Sequence, residues 1–239
     1  MIEKSRRWIV GGVLLAVSSA CVPSPPPVED ITPALEALAE LELTDSAARA
    51  VIRRAQEVTV RIRTLGCRQL GVGSGFVLPG GIVVTNRHVV GQPRSVTVNT
   101  WDGRTLEADI SGVAVDSDLA ILQLADDSGL PVAQLRTTPI EIGEPIVVVG
   151  YPGGGPATVT TGKVVGLVDG EVLGEAAGVL RIDAEIRQGN SGGPVLDQDG
   201  LVVGVVFAIE TDSGMGLAVP VATLMERLDV SELAAPEGC

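Results

Sequence analysis

An all-β fold, with its strands in two sets of six, is what this chain predicts, and three observations carry it. From Val58 onward apolar and polar residues alternate with period two, Val58, Val60 and Ile62 against Thr59, Arg61 and Arg63; this is the pattern of a strand with one buried face. The composition is 45% hydrophobic with 30 glycines but only 2% aromatic residues. The core must therefore come from Val, Leu, Ile and Ala, a mixture suited to short strands joined by tight turns. Turn signals such as Asp102-Gly103 and Asp199-Gly200 fall between the apolar runs.

The elements are taken in chain order. Residues 1–20 read as a signal peptide: Lys4, Arg6 and Arg7 precede an apolar run, Trp8 to Val17, too short to span a bilayer comfortably, and Ser18-Ser19-Ala20 supplies small residues before Cys21. The arrangement looks like a bacterial lipoprotein signal, with Cys21 acylated as the mature N-terminus. Ser18 stands where such signals usually carry Leu, which leaves simple secretion or an uncleaved anchor as alternatives. Any of the three would export the remainder of the chain. Residues 21–31 form a Pro-rich, extended tether. Residues 32–56 form a helical extension: Leu35, Leu38 and Leu41 recur at spacing three, Ala47, Val51 and Ala55 at spacing four, and Thr44 or Asp45 would cap the second helix.

The main domain covers 57–239. The strand opening at Val58 and candidates at 74–78, 81–85, 95–100, 105–115 and 119–124 make the first set, over about 57–130. A linker near 125–143 leads to 145–150, 157–168, 177–183, 193–196, 200–208 and 215–219, the second set, over about 140–220. A short closing helix at 220–229 and a tail of about ten residues end the chain.

The net charge of −13 argues against a nucleic-acid partner, since phosphates would be repelled, and reads as a solubility feature. Of the three cysteines, Cys21 is the lipidation candidate. Cys67 and Cys239 remain as a candidate disulfide for an exported domain. Closing so long a loop would stabilise by about 4–5 kcal/mol less any strain; the alternative is two unrelated thiols. No His/Cys cluster exists to hold a metal, and no cofactor is expected.

The chemistry lies in Gln188-Gly189-Asn190-Ser191-Gly192-Gly193-Pro194. Small residues on both sides of one hydroxyl let the backbone turn tightly and aim its amides at a substrate carbonyl. The chain's one histidine, His88, sits in Thr85-Asn86-Arg87-His88-Val89-Val90, and Asp118 sits in Asp116-Ser117-Asp118-Leu119-Ala120. The order His, Asp, Ser is that of one of the known nucleophile–base–carboxylate arrangements. With Gly71-Val72-Gly73-Ser74-Gly75-Phe76-Val77, Val149-Gly150-Tyr151-Pro152-Gly153 and Gly214-Met215-Gly216-Leu217-Ala218-Val219-Pro220, these runs lie in register over about residues 57–230. In them the chain resembles the chymotrypsin-fold, trypsin-like serine endopeptidases of the bacterial HtrA/Deg type.

The resemblance implies that each strand set closes as a six-stranded antiparallel barrel. It implies catalytic roles for Ser191 as nucleophile, His88 as general base and then acid, and Asp118 as the carboxylate that orients the imidazole. Asp116 competes for the last role, and the family register, Asp immediately before Leu-Ala, selects Asp118. The oxyanion hole would be the backbone amides of Gly189 and Ser191, with Asn190 between them. Arg87 stands where the family more often has Ala.

For substrate binding the resemblance points to the segment before the nucleophile, with Glu185 and Arg187, and to the strand Val206-Phe207-Ala208-Ile209. Glu185 could floor a primary pocket and favour a basic side chain; alternatively it pairs with Arg187 or faces solvent. Phe207 and Ile209 would instead favour a small or medium apolar side chain, and 206–209 would receive the substrate backbone by strand addition. The resemblance also implies protein or peptide substrates and a link to protein quality control; the signal-like N-terminus points to an envelope location, and the short tail after the closing helix to the absence of the PDZ module that often comes after such domains. Oligomeric state is not legible. The alternative function is an inactive, protease-like peptide-binding module.

Overall fold

The computed structural model describes residues 45–66, 70–126, 129–170, 178–228 and 233–234. The signal, the tether, the helix expected at 33–42 and Cys21, Cys67 and Cys239 lie outside the described residues.

Helix α1 (Asp45–Val58) leads without a loop into β1 (Thr59–Gly66), where the Thr59 hydroxyl donates to the Ala55 carbonyl at 2.6 Å. Its buried stripe is Ala48, Ile52, Ala55 and Val58. The spacing-four reading through Val51 was thus rotated by one residue: Ile52 is fully buried, while Val51 is half-buried near Gly200.

Strands β2 (Leu70–Leu78), β3 (Ile82–Asn86), β4 (Pro93–Asn99), β5 (Thr105–Ala114) and β6 (Leu119–Leu124) join β1 in a closed antiparallel barrel of order β1-β2-β3-β6-β5-β4. The two-residue strand β7 (Gln134–Leu135) falls inside the expected linker. The second barrel uses β8 (Pro145–Gly150), β9 (Thr158–Val168), β10 (Val179–Ala184), β11 (Pro194–Leu196), β12 (Leu201–Ile209) and β13 (Gly216–Pro220). Its order is β11-β8-β9-β10-β13-β12, closed by pairing of β11 with β12, and β7 adds to it in parallel at the start of β12. The fold is therefore the all-β, two-barrel class expected.

Two short helical pieces were also not anticipated. Helix α2 (Arg87–Val90) caps the end of β3, and a 3₁₀ turn (Pro152–Gly154) comes after β8. The closing helix α3 spans Val221–Arg227.

Each barrel has its own interior. Val60, Ile62, Val83, Val98 and Leu122 fill the first, and Ile146, Val148, Ile182, Val195 and Val203 the second. A third cluster lies between them and carries α1: Ile52 and Val58 meet Phe76, Val84 and Leu119 of barrel one and Val147, Val149, Leu196 and Val205 of barrel two. This explains why β6 and β8 read as apolar runs rather than alternating ones. One face looks into a barrel and the other into the seam. The seam also positions the functional residues, which come from both barrels at one of its edges.

Candidate active site

Barrel one supplies His88 on α2 and Asp118 in the turn between β5 and β6. Asp118 is 6% exposed and is the one described non-glycine residue with positive φ, +46°. Three consecutive residues hold it there. The Asn86 Nδ2 amide and the Arg87 N–H donate to its carbonyl at 3.0 and 2.9 Å, and the His88 N–H donates to Oδ1 at 3.0 Å. Its Oδ2 lies 2.5 Å from His88 Nδ1. An ionised carboxylate only accepts, so Nδ1 carries the proton and Nε2 is left as an acceptor facing away. The Arg87 guanidinium is 3.8 Å from Oδ1. Asp116 is held elsewhere, 2.7 Å from Arg227 of α3, so geometry as well as register separates the two aspartates.

Barrel two supplies Ser191, at the end of a tight turn. Asn190 N–H donates to the Arg187 carbonyl at 3.0 Å, Gly189 has φ +105° and Gln188 does not have positive φ, which makes 187–190 a type II turn. The Gln188 carbonyl is taken by Gly153 N–H at 2.8 Å. The Gly189 carbonyl accepts from Ser74 Oγ at 2.7 Å, and that hydroxyl in turn accepts from Tyr151 N–H at 2.9 Å. With both carbonyls anchored, the central peptide cannot turn over freely. Among the described residues no protein acceptor takes the N–H of Gly189 or Ser191. A Cβ at Gly189 would sit 2.5 Å from the Tyr151 carbonyl, so glycine is required there for space as well as for φ.

The turn is pressed onto barrel one. Ser74 N–H donates to the Ser191 carbonyl at 2.8 Å, and Gly192 lies so close that a Cβ there would fall 2.1 Å from the Ser74 carbonyl and 2.4 Å from Thr85 Oγ1. The Ser191 hydroxyl donates to the Phe207 carbonyl at 3.5 Å, a long contact. Phe207 is where the β12–β13 register slips, between Val206 and Ala208, and the slip takes it out of regular pairing beside Ser191.

The trypsin-like peptidase domain model matches residues 73–205, more than half of the chain and both halves of this site. The chain belongs to the trypsin-like peptidase family. Its relatives are HtrA/Deg-type serine proteases. The serine protease Rv3671c of Mycobacterium tuberculosis is 34% identical over 171 residues, 68% of this chain and 43% of that protein. The protease Do-like 1 of Arabidopsis thaliana is 35% identical over 170 residues, 64% of this chain and 38% of that protein. The chain thus spans about two fifths of the length of these curated relatives. The crystal structure of the active form of Rv3671c superposes with a TM-score of 0.69 at 30% identity, covering 79% of this chain and 88% of that one.

Within this peptidase fold the residues expected to bind substrate divide. Glu185 does not floor a pocket: its Oε1 pairs with Arg187 Nη2 at 2.5 Å and with Nε at 2.9 Å, and both side chains are about two-thirds exposed. Ile186, two residues past the end of β10, is turned inward instead, against Gly216, where a Cβ would lie 2.6 Å from Ile186 Cγ1. Val206, expected along the substrate-binding strand, is instead fully buried in the barrel-two core. Phe207 and Ala208 are half-buried and Ile209 is exposed. Ser74, Asn86 and Tyr151 were missed as positioning residues. The glycines around Ser74 were the available signal: a Cβ at Gly73 would meet Val89 at 2.6 Å and the Ser191 carbonyl at 3.1 Å.

Proposed function

We propose that this protein is an exported serine endopeptidase that hydrolyses peptide bonds through an acyl-enzyme, with Ser191 as nucleophile, His88 as base and Asp118 as orienting carboxylate. The observation that carries this is the Asp118 carboxylate on His88 Nδ1, which leaves Nε2 basic on a histidine one barrel away from a serine that directly follows a type II turn. For reaction, the Ser191 hydroxyl leaves its long contact to the Phe207 carbonyl and donates to Nε2. Attack on the scissile carbonyl then places the developing oxyanion at the amides of Gly189 and Ser191. Removing one such donor typically costs about 10²–10³ in kcat. His88 returns the proton to the leaving amine, and water completes the cycle.

Substrate backbone pairs with the 207–209 edge of β12. The primary pocket is apolar, since Ile186 and Gly216 meet behind the turn and Glu185 is bound to Arg187. An envelope location rests on the signal-like N-terminus and on such relatives as the probable periplasmic serine endoprotease DegP-like of Brucella suis. Lipidation at Cys21 and a Cys67–Cys239 disulfide complete the reading.

Fluorophosphonate labelling of the full chain, located by peptide mass spectrometry, tests it. Label at Ser191 that disappears in His88→Ala is expected. No label on the folded, oxidised protein would leave a peptide-binding module as the surviving reading.

A further inference from the structure

Arg61 of β1 lies directly opposite Ser74 of β2, so the two side chains share one face, against the 3₁₀ turn that comes after β8. Ser74 Oγ accepts from Tyr151 N–H and donates to the Gly189 carbonyl. Arg61 Nη1 donates to the Gly154 carbonyl at 2.9 Å and, more weakly, to the Gly155 carbonyl at 3.4 Å. Its guanidinium carbon lies 5.7 Å from the centre of the Tyr151 ring. The turn has little stiffness of its own: it reads Pro152-Gly153-Gly154-Gly155, with φ of +60° at Gly153 and +73° at Gly154. The arginine sits there at a cost. Burial, and then the neighbouring Arg63, hold its guanidinium below the ordinary arginine value. Its Nε is buried with no hydrogen-bond partner among the described residues. A partly buried cation with an unsatisfied N–H stabilises a fold poorly; what its other donors secure is the shape of the turn.

We infer that Arg61 is a positioning residue for catalysis: by tying the Gly153–Gly155 turn to β1 it keeps the Gly189 N–H aimed at the oxyanion. The inference rests on the endopeptidase reading. The Gln188 carbonyl and the Gly189 N–H belong to one planar peptide and point in opposite directions. Gly153 N–H binds that carbonyl at 2.8 Å, and so the same bond that draws the carbonyl to the turn aims the N–H away from it. With glycine at 189 the opposite orientation of this peptide is open to the backbone. A turn that drifts off β1 releases the Gln188 carbonyl, the peptide rotates, and the oxyanion meets a carbonyl in place of a donor. Ser74 holds the next peptide, through the Gly189 carbonyl, and does not substitute for Gly153. Arg61 touches no reacting atom; it acts through Gly154 and Gly153.

The test uses the full chain and a peptide spanning the fastest cleavage site in reduced, carboxymethylated casein, mapped by mass spectrometry. Arg61→Met keeps a long side chain without a donor. It is expected to lower kcat about tenfold or more, short of the roughly 10²–10³ that comes with outright loss of an oxyanion donor. KM is expected to stay within about twofold, since the interaction lost is one made in the transition state. Arg61→Lys keeps a cationic donor and is expected to recover most of kcat. Urea unfolding shows whether the variants are folded; should Arg61→Met not fold, Arg61→Gln, with a shorter side chain, replaces it. An unchanged kcat in the folded variant, a loss that appears in KM instead, or an Arg61→Lys no better than Arg61→Met would overturn the inference and leave the endopeptidase reading standing. A wild-type protein that cleaves no casein at all overturns both.

Discussion

Gly192 illustrates how a single missing side chain joins the two barrels at the site. Its φ of +85° lies where only glycine is comfortable, and its Cα approaches the Ser74 carbonyl and Thr85 hydroxyl too closely for a methyl group. Gly192→Ala therefore meets two penalties: left-handed strain of about 1–2 kcal/mol and a clash with backbone that cannot rotate away. The expected outcome is a loss of about 2 kcal/mol or more by urea unfolding, together with lost fluorophosphonate labelling. Labelling that survives at wild-type rate would mean that the turn tolerates displacement from barrel one. Asp118 is the complementary case. It is a non-glycine residue held at positive φ by donors from Asn86, Arg87 and His88, which is the kind of local strain found where geometry must be exact for chemistry. Residue order pointed to Ser191, His88 and Asp118 because their flanking motifs are short and contiguous. It did not point to Ser74, whose importance comes from a hydroxyl bridging Tyr151 and Gly189, 77 and 115 residues away.

Among the elements, β7 and the segment after it are tied to barrel two through one guanidinium. Arg136 reaches Glu144 at 2.6 and 3.1 Å, Asp197 at 3.3 Å and the Pro139 carbonyl at 3.0 Å. The hydrogen bonds from Arg136 hold the Glu144 carboxyl below its ordinary range. A carboxyl with a depressed folded pKa contributes stability that is complete above its unfolded pKa and is lost as pH falls through the folded value. Glu144→Gln should thus be less stable than wild type at neutral pH, and the difference should be smaller at an acidic pH below the ordinary carboxylate range. Urea midpoints at the two pH values measure this; a gap that stays constant would assign the cost to packing. No sequence signal marked β7. Two residues carry no periodicity, and the strand exists because it pairs in parallel with the start of β12, extended by the Arg136 N–H donating to the Val202 carbonyl. Helix α2 was equally hidden, as Arg87-His88-Val89-Val90 continues the valine-rich pattern of β3 and turns helical only where the chain must bring His88 back to Asp118.

At the scale of the whole molecule, two closed barrels share a seam, and α1 is part of that seam. Ile52 is fully buried among residues of both barrels. Ile52→Ala should cost about 3 kcal/mol, as for a large-to-small change in a packed core. Because the seam is common, hydrogen exchange should report that loss equally at the slowest amides of β3 and of β8. A loss confined to one barrel would show that the barrels open independently and that α1 serves only one of them.

The all-β class, the strand boundaries to within a few residues and the candidate triad were legible from residue order, since alternation, turn signals and motif runs are local properties of the chain. The pairing of Glu185 with Arg187, the inward turn of Ile186, the burial of Val206 and the contact of Arg61 with the Gly154 carbonyl were not. Each depends on which way a side chain or peptide faces once two barrels close and meet, and long-range contacts, absent from any local pattern, set that direction.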